Sequence, residues 1–284
     1  MKGQLRKMRV KLDKPVQYEM LIGEQTIALN PLLGKPIKLI YTGKISCVHC
    51  GRATKKSFNQ GYCYPCFISL AQCDMCILKP ETCHYAAGTC REPAWGETFC
   101  MQAHYVYLAN SSGIKVGITR QSQIPTRWID QGAVQALPIF KAQSRHVSGL
   151  IEVVIAKHIS DKTNWQQMLK NNVEVIDLAA KRDELMENCK TELAEIAQRF
   201  GAEAIEFLPE AQALELYYPV KRYPDKVKSF NLDTNPEVSG ILEGIKGQYL
   251  LLDTGVINLR KYSGYELEFF TPDKAEELLA SPAA

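Results

Sequence analysis

The segment CVHCGRATKKSFNQGYCYPC constrains this chain more than any other, because it sets Cys47-x2-Cys50 and Cys63-x2-Cys66 twelve residues apart. Two such pairs close a tetrahedron of four thiolates around one ion, with the intervening loop folded as a turn or short hairpin. Zinc is the expected ion; a redox dithiol or an iron–sulfur cluster would use the same ligands. A closed shell of four thiolates leaves no position for substrate, so such a site supplies folding energy rather than chemistry. Nine of the ten cysteines lie between Cys47 and Cys100, and only Cys189 stands apart. The basic start, MKGQLRKMRV, is followed by no apolar signal segment, so clustered CxxC pairs point to metal ligands in a reducing, cytoplasmic setting.

A second set of ligands follows: Cys73 and Cys76 in CDMC, Cys83, His84 and Cys90 in CHYAAGTC, then Cys100 and His104 in CMQAH. Five cysteines and two histidines exceed one zinc site by three, so either two further ions bind or some members are bystanders. The total expected is two or three zinc ions. The best single tetrahedron joins Cys73 and Cys76 to two of the later ligands, while Cys100-x3-His104 would place two ligands on one helical face. An iron–sulfur cluster is compatible with the same scattered cysteines, and Cys83 or Cys90 has the alternative of packing as a small apolar side chain.

The net charge of +3 is small, but residues 1–60 hold 12 Lys and Arg against three acids, a local balance of +9. That asymmetry suits phosphate-backbone contact as well as a plain solvated surface, and Arg52, Lys55 and Lys56 lie between the cysteine pairs. No run of about 18 apolar residues occurs, which argues against a membrane span.

The chain reads as four segments: a basic β-rich segment 1–46, a zinc-binding module 47–104, an α/β segment 105–205 and a β-rich segment 206–284. In the first, YEMLIG, QTIALN and KPIKLIYTG alternate as short antiparallel strands. In the third, YVYLANSSGIKVGITR reads as two strands around a turn, followed by a helix after Pro125, a strand at LPIFKA, a helix after Ser148 and a helical turn capped by Thr163. One helix is expected over 181–200, with Leu185, Cys189, Leu193 and Ile196 on one face and Gly201 ending it. In the fourth, apolar runs broken by Gly240, Gly244, Gly247, Asp253–Gly255 and Gly264 suggest a β-barrel or sheet. There Lys246, Tyr249, Arg260, Lys261 and Tyr262 interleave bases with aromatics, a pattern that serves either nucleic-acid stacking or structure. Walker loops, GxGxxG after a strand and HExxH are all missing, which leaves nucleotide hydrolases, Rossmann enzymes and zinc proteases unsupported.

Tyr105-Val106-Tyr107 and Lys115-Val116-Gly117, followed by Arg127 and Glu152, resemble the core of GIY-YIG nucleases over about residues 105–170. Including PTRWIDQGA, GLIE and TNW, the chain also resembles a bacterial family known only as a domain of unknown function, which supplies no activity. The nuclease resemblance implies an α/β core with a short mixed or antiparallel sheet; with the zinc-ribbon-like module and the β-barrel-like carboxy-terminal segment read above, the expected fold class is α+β. It implies that Tyr107 helps activate water, Arg127 holds the scissile phosphate, Glu152 binds Mg²⁺ or Mn²⁺, and Asn164 closes the site. Lys115 stands where the family has a second tyrosine; an ammonium starts as a cation and is better suited to binding phosphate. The expected partner is DNA or RNA, with no membrane, and the expected activity is metal-dependent phosphodiester hydrolysis. The alternative is a non-catalytic nucleic-acid binder using the same cleft. Arg145 and His146 precede the Glu152 helix near the same cleft, and Trp128 and Trp165 are either core or base-stacking residues.

Overall fold

A computed structural model describes residues 1–159 and 164–271, and the chain divides into two compact units. One comprises Met1–Phe67 and the chain from Tyr217 onward; the other is Ile68–Leu216. The architecture is mixed α+β with antiparallel sheets. Among the described residues, no helix is long and apolar enough to cross a membrane.

The first unit opens with β1 (Lys2–Gln4), β2 (Arg9–Lys11), β3 (Gln17–Ile22), β4 (Gln25–Ala28) and β5 (Pro36–Ile45), followed by the short helix α1 (Tyr64–Ser69). Strand β3 buries every second residue, Tyr18, Met20 and Ile22, as its period-two pattern requires, and it is the middle strand of the sheet β2-β3-β4.

The second unit is built on α2 (Pro93–Phe99), β6 (His104–Asn110), β7 (Ile114–Arg120), α3 (Thr126–Asp130), β8 (Gln135–Ala142), α4 (Arg145–Ala156), α5 (Trp165–Lys170), α6 (Leu178–Asn188), α7 (Lys190–Phe200), β9 (Ile205–Phe207) and β10 (Leu214–Glu215). Its sheet runs β10-β8-β6-β7, with β9 also paired to β8, and every pairing is antiparallel. Val106, Leu108 and Val116 on one face of the β6–β7 hairpin share a core with Val147, Ile151, Val154 and Ile155 of α4 and with Leu185, Cys189 and Leu193. Burial of this apolar stripe fixes α4 on the sheet.

Two helix starts differ from expectation. Helix α4 begins ahead of Ser148, because the Ser144 hydroxyl accepts from Val147 N and caps it. Helix α5 is capped by Asn164, whose side chain accepts from Gln166 N and Gln167 N; Thr163 lies outside the described residues. The single helix expected over 181–200 is two, separated at Cys189 (φ −102°, ψ 4°), although Cys189 N to Leu185 O and Leu193 N to Cys189 O carry hydrogen bonding across the break. The apolar face therefore continues through it.

The chain then returns to the first unit with β11 (Glu237–Lys246), β12 (Tyr249–Leu252), β13 (Gly255–Asn258) and β14 (Tyr265–Phe270). They join β1 and β5 in a six-stranded antiparallel sheet of order β1-β14-β5-β11-β12-β13. Strands β1 and β5 of segment 1–46 and β11–β14 of segment 206–284 thus interleave in one sheet, while β9 and β10 pair with β8 in the second unit. The β-barrel expected for the carboxy-terminal segment does not form: β1 and β13 are the two ends of an open sheet, and β5 from the amino-terminal segment lies between β14 and β11. Of the interleaved bases and aromatics, Lys246 and Tyr262 are turned inward, Tyr249 and Arg260 are half-buried and Lys261 is exposed. Lys246 is wholly buried, its ammonium 5.3 Å from the ring centre of Tyr218 and 5.6 Å from that of Tyr223, and Tyr262 is buried as well. Burial pushes the Lys246 ammonium down to about 7.

Candidate active site and metal centre

The first four cysteines converge. Cys47 opens a tight turn in which Cys47 N donates to Arg52 O and Gly51 N to Cys47 O, each at 2.9 Å. Gly51 sits at φ +72°, a conformation that costs glycine little. The chain then makes a hairpin in which Phe58 and Tyr62 exchange two backbone hydrogen bonds of 2.8 Å. The second pair is not a second turn of the same kind: Cys63 precedes α1 and Cys66 lies within it, with Phe67 N donating to Cys63 O. All four Sγ atoms lie within 4.8 Å of one another. The Cys50 and Cys63 sulfurs are 3.8 Å apart; tetrahedral Zn–S bonds of about 2.3 Å impose a sulfur separation of about that size. The donor set fits a metal ion such as zinc.

Ionisation within the group is uneven. Burial raises the Cys47 thiol, but the N–H groups of Cys50, Cys63 and His49 and the Cys50 side chain outweigh it and bring it to about 6. Cys66 moves the opposite way, through burial and then through its contacts with Cys63, Cys50 and Cys47. A metal removes this competition by favouring every thiolate at once.

The second set divides. Cys76, Cys83, Cys90 and Cys100 line one cavity of about 20 Å³, with His84, Tyr85, Trp95 and Asp74. Cys73 is buried at the end of the turn Ala71–Cys73 and is not among the lining residues. His104 is not there either. Cys100 ends α2 and His104 begins β6, so the two do not share a helical face. The His104 ring is fully buried, its Nδ1 is 2.8 Å from Gln102 O, and burial pushes it down to about 4. Asp74, Cys76 and His84 also bring ligand atoms within 4.8 Å of one another. Asp74 has other partners, however: it accepts from Cys76 N at 3.3 Å and pairs with Arg91 Nε at 2.7 Å. Burial, followed by the charges of Asp74, Cys83, Cys100 and Cys90, pushes the Cys76 thiol up to about 11.

The candidate catalytic residues are set by the β6–β7 hairpin. Tyr107 faces Gly117 and Ala109 faces Lys115, so Tyr107, Gly117 and Lys115 share one face. Gly117 makes room for the phenol, since a Cβ there would lie 2.7 Å from the Tyr107 oxygen. Tyr107 is fully buried, its ring edge-on to buried Trp128, and its hydroxyl donates to Gln131 Oε1 at 3.0 Å. Burial raises its pKa; the charge and hydrogen bonding of Arg127, with Gln131, work against that shift, while the Glu152 carboxylate adds to it. Arg127 on α3 is exposed and Glu152 on α4 is half-buried. The charges of Arg127 and Glu152 thus both reach the Tyr107 hydroxyl.

Asn164 has a structural occupation as the α5 cap, and its backbone N–H donates to Ser112 Oγ in the hairpin turn at 3.0 Å. Near the site, Gln131 carried no expectation, whereas Arg145 was expected close to the same cleft. Gln131 lies four positions after Arg127, a helical spacing that puts both on one side of α3, and this signal was available in the sequence. Arg145 is half-buried, its Nη2 donates to Ile77 O at 2.6 Å and its backbone N–H to Cys100 O at 2.8 Å. Its pKa is lowered by burial, against the charges of Cys100 and Glu152; Arg145 opens the helix that carries Glu152 and reaches back to the cysteine segment. Trp165 is partly exposed.

A family model described as "Protein of unknown function (DUF2797)" matches residues 34–267. The chain belongs to that family. The matched range contains both cysteine sets and the β6–β7 hairpin, whereas β1–β4 lie ahead of it. No curated protein and no solved structure matches the chain. The DUF2797 assignment therefore brings no activity with it, and the site has to be read from its own chemistry.

Proposed function

We propose that the Ile68–Leu216 unit carries a phosphodiester-hydrolysing site of the GIY-YIG kind, acting on DNA or RNA with a divalent metal. The observation that supports this reading is the grouping around Tyr107. A phenol anchored by Gln131 lies within the field of the Arg127 guanidinium and the Glu152 carboxylate, on a hairpin that also presents Lys115. Phosphodiester hydrolysis requires such a combination of a hydrogen-bonding group for water, a cation for the phosphate and a carboxylate for a metal.

Arg127, exposed on α3, binds a phosphate in bidentate fashion, and Lys115 adds a point charge. Tyr107 stays a neutral phenol, its pKa raised by burial, and its one proton goes to Gln131 Oε1, so towards a water it acts as an acceptor and orienting group. Glu152 is a single carboxylate, which fits Mg²⁺ or Mn²⁺ completed by water and substrate oxygens. Such an ion offsets the charge developing on the phosphate oxygens. The test is incubation of the purified chain with Mg²⁺ or Mn²⁺ and a panel of branched, single-stranded and duplex DNA and RNA. Cleavage of at least one substrate is expected, and no cleavage across the panel sinks the reading.

The complete burial of Tyr107 favours a second reading, in which Arg127 and Lys115 cradle phosphate without hydrolysis. Binding would then be salt-sensitive, independent of divalent metal and weakened by Arg127→Ala.

A further inference from the structure

Between α1 and β6 the chain forms no strand; it runs through the turns Ala71–Cys73, Met75–Ile77 and Pro80–Thr82 and the seven-residue α2. A segment of this kind buries too little apolar surface to hold itself together and calls for a staple. Asp74, Cys76 and His84 each bring one ligand atom within 4.8 Å of the other two. They line the cavity of about 20 Å³ that Cys83, Cys90 and Cys100 also line. A cavity of that size admits about one water or one ion.

The hydrogen bonds around His84 assign its tautomer. Thr89 Oγ1 donates its one proton to His84 O at 3.3 Å, so towards His84 Nδ1, 2.8 Å away, it is an acceptor, and Nδ1 carries the ring proton. The lone pair is therefore on Nε2, which stands 3.6 Å from Asp74 Oδ2. Two lone-pair atoms at that distance repel, and it is too long for a hydrogen bond. Two ligands of one zinc ion, each held at about 2.0–2.2 Å with a tetrahedral angle between them, stand about 3.4 Å apart.

Asp74 is oriented for such a role. Its Oδ1 accepts from Cys76 N at 3.3 Å and its Oδ2 pairs with Arg91 Nε at 2.7 Å; a carboxylate so engaged keeps further lone pairs. A partner on the ligating carboxylate and a hydroxyl on the far nitrogen of the ligating histidine are outer contacts that aim zinc ligands.

We propose that Asp74 Oδ2, Cys76 Sγ and His84 Nε2 bind one zinc ion, with a thiolate from the same lining, Cys83, Cys90 or Cys100, as the fourth ligand. Cys76 and the fourth cysteine release their thiol protons on binding. Cys73, the partner of Cys76 in CDMC, takes no part, since it does not line the cavity. The ion fixes the turns, and two contacts carry that order to α4: Arg145 Nη2 donates to Ile77 O at 2.6 Å, and a Cβ at Gly149 would lie 2.6 Å from Pro80 Cβ. This site is separate from the Glu152 metal of the proposed function and stands without it.

The test is the zinc content of the full chain after Zn²⁺ is added and the excess removed. The expected result is about two zinc ions per chain, one of them at Cys47–Cys66. Cys76→Ser/His84→Gln should lose one of the two, and Cys47→Ser/Cys50→Ser the other. Thr89 is exposed, so Thr89→Val keeps the fold while removing the contact that sets the tautomer. It should weaken the second ion by roughly tenfold to a hundredfold in competition with a chelator. One zinc per chain in the wild type means that His84 meets Asp74 as a plain ion pair, and overturns the proposal. Two zinc ions retained in Cys76→Ser/His84→Gln, or an unchanged affinity in Thr89→Val, overturn it as well. The wild-type count decides the matter even where a variant does not fold.

Discussion

The two units use their ionisable groups in opposite ways. In the first, Cys47, Cys50, Cys63 and Cys66 close on one another, and Lys246 is buried between tyrosine rings. In the second, the charges of Arg127 and Glu152 reach the buried Tyr107 hydroxyl and Arg145, while Arg127 remains exposed. Groups closed on one another are occupied within the fold, whereas unlike charges held in a common field are available to a ligand. Under the proposed function, chemistry belongs to the Ile68–Leu216 unit, while the first unit's polar residues serve its own architecture.

Metal removal should break the comparison hardest. Structural zinc in small modules carries roughly 10–16 kcal/mol of apparent binding energy, so a strong chelator or Cys63→Ser should unfold the segment around Cys47–Cys66. Hydrogen exchange of Cys47–Phe67 checks this, and unchanged protection in the zinc-free chain would contradict it.

Lys246 supplies the next largest effect. Its folded pKa is pushed down to about 7, against about 10.4 in the unfolded chain. Between those values the unfolded state binds the extra proton, so stability rises with pH, by at most about 1.4 kcal/mol per pH unit. Stability measured by denaturant titration should therefore climb from pH 7 to pH 9, and Lys246→Met should flatten that rise while stabilising the fold at pH 7. An identical slope in the variant would remove Lys246 from the account.

Gly117→Ala sharpens the contrast from the other side. The added Cβ meets the Tyr107 oxygen at 2.7 Å, and the ring has no solvent-exposed space to move into. Overpacking of this kind costs about 1–3 kcal/mol. The accompanying loss of activity should exceed anything explained by the unfolded fraction, which a thermal melt beside an activity assay measures. Arg127→Ala, at an exposed position, should change stability by less than about 0.5 kcal/mol. It should nevertheless reduce the salt dependence of nucleic-acid binding by about one phosphate contact.

Much of this arrangement was legible because local spacing encodes it. The Cys47–Cys66 group, the β6–β7 hairpin and the shared face of Leu185, Cys189 and Leu193 all follow from separations of a few residues. What depends on distant pairing was not legible. The open six-stranded sheet requires β5 to lie between β14 and β11, a choice made by partners about 200 residues away in sequence. The division of the second cysteine set, with Cys73 and His104 outside the cavity, depends on how α2 and three short turns pack. Lys246 reads as a surface base in a base-and-aromatic pattern, and only the chain segment carrying Tyr218 and Tyr223 turns it into a buried group. Asn110 and Gln135 likewise look like strand-end polar residues; they are buried partners at 3.1 Å, with Asn110 reaching Glu174 O at 2.7 Å.

The central claim is that the grouping around Tyr107 hydrolyses a phosphodiester, and the most direct measurement pairs cleavage with binding in wild type and Glu152→Gln. The substrate is the best-cleaved nucleic acid of the panel, with Mg²⁺ or Mn²⁺ present for cleavage and omitted for binding. Wild type should cut in a metal-dependent manner, and Glu152→Gln should lose cleavage by at least about a hundredfold, the scale of removing one electrostatic stabiliser, while retaining metal-free affinity within threefold. Cleavage by Glu152→Gln at the wild-type rate would contradict the account.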